Sequence, residues 1–429
     1  MKKIFSILIC LVITVLPCLT MSACQTQKDD VITLYVYNWG EYISDGSEGS
    51  LNVNEAFEEW YYENYGSKNG TRVKVNYSTY SSNEDLYAKV TSGAVNYDVI
   101  VPSDYMVQRL RKEGYLAPLN YDNITNIDNI LPEFRGKNAY YDEDNKYSVP
   151  YLYGMIGIIY NTDMVLDDEE NIGSWALMWD EDYEGNILQF NNSRDAFGTA
   201  QYYLGVDVNS ATERQWRDAL ELLKSQKKIV QGYVMDEVFN KMENGSAAIA
   251  AYYAGDYLSM YESNPSLEFF YPKEGTNLYV DVMCIPEASK NKEIAEYYIN
   301  FMLTKEAAIA NAEYTYYASP NSLVVEDSDY KSYMAEIKED AYDKMYPEKI
   351  KLTEETRDKY PDKVHYSSYE NLTEDKLVLL NSLWEELKSD IEIGLIIYVL
   401  CGIIIAGLLT MFITSLIKKK SKRKLYDNP

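Results

Sequence analysis

The sequence predicts an α/β protein in which short strands alternate with amphipathic helices around a mostly parallel sheet. Residues 32–37 alternate apolar and polar side chains with a period of two, which is typical of a strand with one buried face. Residues 51–65 place Val53, Phe57 and Trp60 on one face of a helix. Strand and helix then alternate twice more before residue 112, as they do in a parallel α/β lobe. The length of 429 residues allows two domains of ordinary size.

The first part of the chain is predicted to contain three strand–helix units. Pro102 stops the third strand, because proline cannot donate a hydrogen bond to a neighbouring strand. The carboxyl ends of parallel strands meet at one edge of a sheet, where ligands of open α/β sheets bind. The predicted strands are 32–37, 72–80 and 97–102, and the predicted helices are 51–65, 82–91 and 105–112.

The second part of the chain begins with an apolar, glycine-containing run at 147–160, which we predict to be an extended crossover into a second lobe. Helical and extended patterns alternate again after it. Residues 346–371 are mixed and polar and favour neither pattern. The predicted helices are 211–226, 234–243, 294–302, 305–313, 326–346 and 373–389, and the predicted strands are 247–253, 267–271 and 278–285.

Composition excludes several classes of function. The chain has 67 acidic and 40 basic residues, and its formal net charge of −27 repels nucleic acid and attracts cations. The only histidine is His365, which excludes a histidine-based triad and makes a zinc site implausible on composition. Of the five cysteines, only Cys284 lies in the body of the chain, so no disulfide joins two body cysteines. We therefore expect neither a metal nor a cofactor.

Both ends of the chain predict contact with a membrane. Lys2 and Lys3 precede an apolar run, and small residues precede Cys24, which together predict a lipoprotein signal peptide at 1–23 and lipidation of Cys24. Residues 393–417 contain no charged side chain and would span roughly 37 Å as a transmembrane helix. The basic segment 418–429 follows and is predicted to be a cytoplasmic tail, which places the folded body on the extracytoplasmic face of the cell membrane.

The turn after the first strand carries the first candidate site. Trp39, Glu41 and Tyr42 bring an indole, a carboxylate and a phenol to the carboxyl end of a strand. Aromatic faces attract alkyl-ammonium groups, and a carboxylate balances their charge. The turn therefore favours an organic cation as ligand.

Six stretches, in chain order, resemble the spermidine/putrescine-binding proteins of polyamine ABC transporters. They are 37–42 (YNWGEY), 101–106 (VPSDYM), 147–151 (YSVPY), 253–256 (YAGD), 279–286 (YVD and IP) and 317–321 (YASPN). The resemblance implies a two-lobed type II periplasmic-binding fold, in which a hinged interlobe cleft closes over the ligand and no bond is made or broken. It also implies that the chain is not an enzyme.

The resemblance implies where the two lobes begin and end and which ligand and proteins the chain binds. It implies a first α/β lobe formed by 31–148 and 282–323, and a second formed by 149–281 and 324–390. The ligand would be a polyamine, and the protein partners would be the membrane permease and ATPase subunits of an ABC importer.

The site residues implied by the resemblance are aromatic walls and acidic or hydroxyl groups. Asp195 is included because 191–195 (NNSRD) resembles a family segment, DDARE. Tyr253 and Tyr279 stand where tryptophan is common in the family, so stacking should persist but weaken. The aromatic residues are Trp39, Tyr42, Tyr105, Tyr253, Tyr279 and Tyr317, and the others are Glu41, Ser103, Asp104, Asp195, Asp256 and Asp281.

Three alternatives stay open at this point. The adjacent tyrosines at 252–253 and 316–317 could ligate ferric ion through phenolate oxygens, as in a ferric-ion-binding transport protein. Paired carboxylates with aromatic platforms could belong to a surface carbohydrate-active enzyme. A sensor could signal through the predicted membrane helix.

Overall fold

The computed structural model describes residues 30–166 and 168–389. The sheet of the first lobe contains three parallel strands, and β1 (Asp30–Trp39) lies between β2 (Thr71–Tyr80) and β3 (Val99–Ile100). Leu34 and Val36 are buried and Tyr35 is exposed, as the sequence predicted for the first strand, but Tyr37 is buried as well. The helices that follow these strands are α1 (Val53–Asn64), α2 (Asn83–Ser92) and α3 (Asp104–Lys112).

Two long strands pass from the first lobe into the second. The first part of β4 (Ser148–Asn161) pairs antiparallel with β9 (Thr276–Cys284), and its second part pairs antiparallel with β7 (Ile249–Tyr253) and β8 (Leu267–Phe270). The last residue of β9, Cys284, also pairs with Ile100 of β3. Every residue of β9 is buried. The predicted crossover at 147–160 is therefore confirmed as an extended segment shared by both lobes.

The second lobe has its own parallel strands. Here β5 (Ile187–Phe190) lies between β6 (Val230–Val234) and β7. The sequence predicted neither β5 nor β6: β5 is a four-residue run buried throughout, and β6 is interrupted by Gly232. The helices of this lobe are α4 (Ser193–Tyr203), α5 (Glu213–Gln226), α6 (Glu237–Glu243) and α7 (Ala254–Ser263).

The chain after β9 packs on both lobes. Helix α8 (Lys292–Met302) packs on α1, whereas the last described helix, α14 (Glu374–Lys388), packs on α5. The predicted helix over 326–346 is two helices, because the backbone is extended at Lys338. The remaining α-helices and strands of the described residues are α9 (Lys305–Thr315), α10 (Ser322–Val325), α11 (Ser328–Ile337), α12 (Ala341–Met345), β10 (Lys349–Lys351), α13 (Glu354–Lys359) and β11 (Val364–Ser367).

The membrane part of the fold prediction requires correction. Within the part of the chain that the structure describes, no helix has both the length and the apolar character needed to cross a membrane. The expected transmembrane helix at 393–417 and cytoplasmic tail at 418–429 lie outside the described residues, as do the signal peptide at 1–23 and Cys24. The fold is therefore a two-lobed α/β fold, and the structure supports neither the transmembrane helix nor a cytoplasmic location for the tail.

Candidate functional site

A narrow cavity of about 70 Å³ lies between the lobes, where the crossing strands meet the carboxyl ends of the parallel strands. The turn after β1 and the start of α3 line it from the first lobe. The starts of α4 and α7 line it from the second lobe, and β9 runs along it. The predicted residues that line it are Trp39, Glu41, Tyr42, Ser103, Tyr105, Asp195, Tyr253, Asp256, Tyr279, Asp281 and Tyr317.

Asp281 accepts more side-chain hydrogen bonds than the other two buried carboxylates of the cavity, Asp195 and Asp256. The hydroxyl of Ser103 donates to Asp281 Oδ1 at 2.6 Å, and the hydroxyl of Tyr42 donates to its Oδ2 at 2.8 Å. Burial raises the pKa of Asp281 to about 6, and the hydrogen bonds from Ser103 and Tyr42 act in the opposite direction. The carboxylate is thus oriented by the first lobe, although it belongs to a strand shared by both lobes.

Asp195 and Asp256 enter the cavity from the first turns of α4 and α7, where a helix N-terminus favours negative charge. The hydroxyl of Tyr253 donates to Asp195 Oδ2 at 2.8 Å, and that of Tyr317 donates to Asp256 Oδ2 at 2.9 Å. Burial raises the pKa of Asp195 to about 7 and that of Asp256 to about 8, against the effect of these hydroxyls. Asn192, which also lines the cavity, uses its side-chain oxygen to cap α4.

Aromatic rings enclose the space between the carboxylates. The rings of Tyr42 and Tyr317 meet edge to face with centroids 4.6 Å apart, and those of Tyr253 and Tyr279 do so at 5.4 Å. Trp39 packs against a neighbouring ring from β2 at a centroid distance of 4.6 Å. Such rings offer π-faces to alkyl-ammonium groups and apolar surface to methylenes.

Asp104 is the one predicted site residue that does not line the cavity. Only 1% of it is exposed, and its carboxylate accepts hydrogen bonds from the backbone N–H groups of Tyr105 and Val280 and from the hydroxyl of Tyr140. These bonds tie the start of α3 to β9. Glu41, in contrast, lies exposed at the mouth, where the cavity adjoins a wide groove of about 1120 Å³.

Sequence reasoning missed several lining residues. Asn83 and Asp236 each lie two or three residues after a parallel strand, β2 and β6, at the edge where ligands are expected. That rule would have identified Asn83 from the predicted second strand, but Asp236 required the unpredicted β6. Tyr369 comes from the segment that the sequence left unassigned, and no local pattern marked it.

The charge balance of the cavity is one-sided. Among the described residues that line it, none is lysine, arginine or histidine. Asp195, Asp256 and Asp281 are buried and accept hydrogen bonds from hydroxyl groups. Arg194, which does not line the cavity, partly offsets the burial of Asp195. This arrangement favours a positively charged ligand. Within residues 30–166 and 168–389, no three His, Cys, Asp or Glu side chains converge as a metal site.

The arrangement of the paired tyrosines does not favour a ferric-ion site. Tyr316 does not line the cavity, and Tyr252 stacks on Phe190 at a centroid distance of 5.5 Å. Burial and nearby aspartates raise the pKa of Tyr253 and of Tyr317 well above the usual range, which keeps both hydroxyls protonated as donors. Phenolate ligands are thus disfavoured.

Together, the crossing strands and the enclosed cavity define a two-lobed protein that binds a small ligand between its lobes. The chain belongs to the family of bacterial extracellular solute-binding proteins, whose family model matches residues 60–338. Proteins of this class bind and release their ligands without chemical conversion, so the chain is a binding protein and not an enzyme.

Individual relatives agree with this assignment. A spermidine/putrescine-binding periplasmic protein from Salmonella typhimurium is 35% identical over 306 residues, which cover 71% of this chain and 81% of the relative. A solved Listeria monocytogenes protein assigned to a spermidine/putrescine ABC transporter is 31% identical and has a TM-score of 0.69. The match covers 83% of this chain and 98% of the Listeria chain. A spermidine/putrescine ABC transporter substrate-binding protein from Streptococcus pneumoniae is 30% identical and has a TM-score of 0.61. The match covers 83% of this chain and 98% of the Streptococcus chain. These relatives confirm the resemblance predicted from the six motifs.

Proposed function

We propose that this chain is the substrate-binding component of an ABC importer and that it captures a polyamine, putrescine or spermidine, in the interlobe cavity. The observation that carries the proposal is that Asp195, Asp256 and Asp281 are buried around a space whose described lining contains no basic side chain. Burying several carboxylates around a space that no basic side chain lines is costly, and a ligand with several ammonium groups supplies the missing positive charge. The names of the relatives support the choice of polyamines.

The proposed site divides recognition between charge and shape. Carboxylates on α4, α7 and β9 would each receive an ammonium group, with Glu41 at the mouth as a further anionic partner. The aromatic rings would cover the methylenes between the ammonium groups. Since a flexible diamine loses chain entropy and hydration when it binds, several fixed carboxylates are needed to offset these losses.

Closure of the two lobes would complete the site. Residues from both lobes and from a crossing strand line the cavity, so separation of the lobes would divide it. We propose hinges near residues 148–149, 281–282 and 323–324, where the expected lobe boundaries lie. The closed, loaded form would then deliver its ligand to the permease and ATPase subunits.

Isothermal titration of residues 25–390 with putrescine and spermidine tests the proposal. We expect saturable binding of at least one of them, with a dissociation constant of about 1 μM or lower. Absence of binding by both at millimolar concentration would overturn it. The relatives and the site give no support to the ferric-ion or carbohydrate-enzyme alternatives. Addition of ferric citrate is therefore expected to produce no tyrosinate–iron absorption band.

A lipid anchor at Cys24 is a separate part of the proposal and rests on the sequence alone. Cells that express the protein should incorporate radiolabelled palmitate into it. Incorporation should be lost in Cys24→Ala, and labelling that persists in this variant would contradict the anchor.

A further inference from the structure

Asn83 stands in the first turn of α2 with 2% of its surface exposed, and it lines the cavity. Two hydrogen bonds join its amide group to Ser103. The backbone N–H of Ser103 donates to Asn83 Oδ1 at 3.1 Å, and Asn83 Nδ2 donates to Ser103 Oγ at 3.1 Å. The amide thus contacts the residue that in turn contacts Asp281.

These bonds fix the direction of one proton. The backbone N–H of Ser103 can only donate, so it requires the amide oxygen of Asn83 opposite it and places the amide NH₂ against Ser103 Oγ. Ser103 Oγ already accepts this N–H and has a single proton of its own. That proton is therefore directed to Asp281 Oδ1, at 2.6 Å.

We infer that Asn83 is a positioning residue for ligand binding: its amide orients the Ser103 hydroxyl, which keeps Asp281 in the charged form that receives an ammonium group. The inference rests on the proposed polyamine function and names a determinant of that same site. Asp281 accepts two hydroxyl donors, whereas Asp195 and Asp256 each accept one. The pKa of Asp281, about 6, is also the lowest of the three.

Other titratable groups face Asp281 from the surrounding elements and contribute to any pH dependence. They are the carboxyls of Asp104 and Asp195 and the phenols of Tyr42, Tyr80, Tyr151 and Tyr279. The phenols have a pKa raised well above their usual range by burial, so they stay neutral between pH 5.5 and 8.5. Asp104 and Asp195 interact electrostatically with Asp281, so their titrations shift when that of Asp281 shifts. Asp256 has no such interaction with Asp281 and provides the internal reference.

The test measures both the titration of Asp281 and the binding of putrescine in the full-length chain. Carboxyl ¹³C resonances of the unliganded protein are followed with pH, and the Asp281 signal is assigned with Asp281→Asn. In Asn83→Ala, we expect the titration of Asp281 to move to higher pH. We also expect the dissociation constant for putrescine to rise about three- to tenfold at pH 6 and less than about twofold at pH 8.5, because a lost hydrogen bond matters only while the carboxylate is being protonated.

Two comparisons separate positioning from a merely structural role. Asn52→Ala removes an amide that caps α1 outside the cavity, and it should change neither the titration nor the pH profile. In a Ser103→Ala background, Asn83→Ala should have no additional effect, because the amide acts through that hydroxyl. An equal loss of affinity at both pH values, or an unchanged loss in the Ser103→Ala background, would overturn the inference.

The outcomes also distinguish this inference from the proposed function. If the wild-type chain binds no polyamine, the proposed function fails, and the Asp281 titration still decides the role of Asn83. If the wild-type chain binds putrescine and Asn83→Ala leaves the titration unchanged, only the inference fails. Should Asn83→Ala not fold, Asn83→Leu decides by the same titration. Its side chain has a similar volume and no charge, and it cannot donate to Ser103 Oγ, so the Asp281 titration should again move to higher pH.

Discussion

The hydroxyl of Tyr42 donates a 2.8 Å hydrogen bond to Oδ2 of Asp281, joining residues 239 positions apart in the chain. Tyr42 belongs to the turn after β1, and Asp281 belongs to a strand that passes between the lobes. Ser103 holds the other carboxylate oxygen. The carboxylate is therefore oriented by groups of the protein itself, which reduces the ordering that binding requires.

Replacement of Asp281 by asparagine should weaken putrescine binding strongly. The amide keeps the shape of the side chain but removes the charge, and the loss of one member of a desolvated charge pair costs about 2–5 kcal/mol. Titration calorimetry at pH 8 measures the change. Asp163→Asn, at an exposed turn, is the matched control and should leave the affinity unchanged. An Asp281→Asn variant that binds as tightly as the wild type would place the ligand elsewhere.

Polyamine affinity should rise with pH between 5.5 and 8.5. The pKa values of Asp195 and Asp256 are raised to about 7 and about 8, so the empty cavity holds protons near neutral pH. An ammonium group favours the ionised carboxylates, and binding must therefore release protons. Calorimetry at pH 7 in two buffers of different ionisation enthalpy counts them. Affinity that stays constant or falls as the pH rises would contradict the electrostatic account.

The unliganded protein should lose stability over the same pH range. Since burial raises the pKa of Asp256 above its unfolded value, the native state binds more protons than the unfolded state, and the free energy of unfolding falls as the pH rises towards 8. Asp256→Asn should therefore increase the free energy of unfolding at pH 8.5 by about 1–3 kcal/mol while it weakens ligand binding. Denaturant unfolding at pH 5.5 and 8.5 checks this, and equal stability of the variant and the wild type at both pH values would refute it.

Gly255→Ala should disturb the site through Tyr317. A Cβ at Gly255 would lie 2.2 Å from the ring of Tyr317, whose hydroxyl donates to Asp256. The ring must move, so we expect affinity for putrescine to fall about tenfold or more. Gly232→Ala is the matched control, because a Cβ there has no neighbour within 4 Å. Equal affinities of the two variants would show that the position of Tyr317 does not matter for binding.

Trp39→Ala should weaken binding without unfolding the protein. Trp39 is half-buried at the cavity and packs on Tyr80 with centroids 4.6 Å apart. Loss of its π-face should cost about 1–2 kcal/mol of binding free energy. Calorimetry measures the loss of affinity, and thermal unfolding of the same variant shows whether the fold is kept. Unchanged affinity would remove Trp39 from the proposed site.

Local sequence patterns located much of the fold. The period of two in β1 and the apolar face of α1 were visible because each element buries one side against the same core. The same reasoning failed for β5 and for the strands β10 and β11, which are short and have no clear alternation. It also joined α11 and α12 into one helix, since nothing in the local sequence marks the extended backbone at Lys338.

The sequence by itself determined that the first strand leads into a turn with Glu41 and Tyr42, and its motifs identified the family. The strand extends to Trp39, two residues beyond its predicted end. Only the tertiary structure decided which polar residues meet. It turned Asp104 away from the cavity to bind the backbone of β9, and it brought Asn83 against Ser103. The reason is physical: periodicity records which face of an element is buried, whereas hydrogen-bond partners depend on how distant elements pack together.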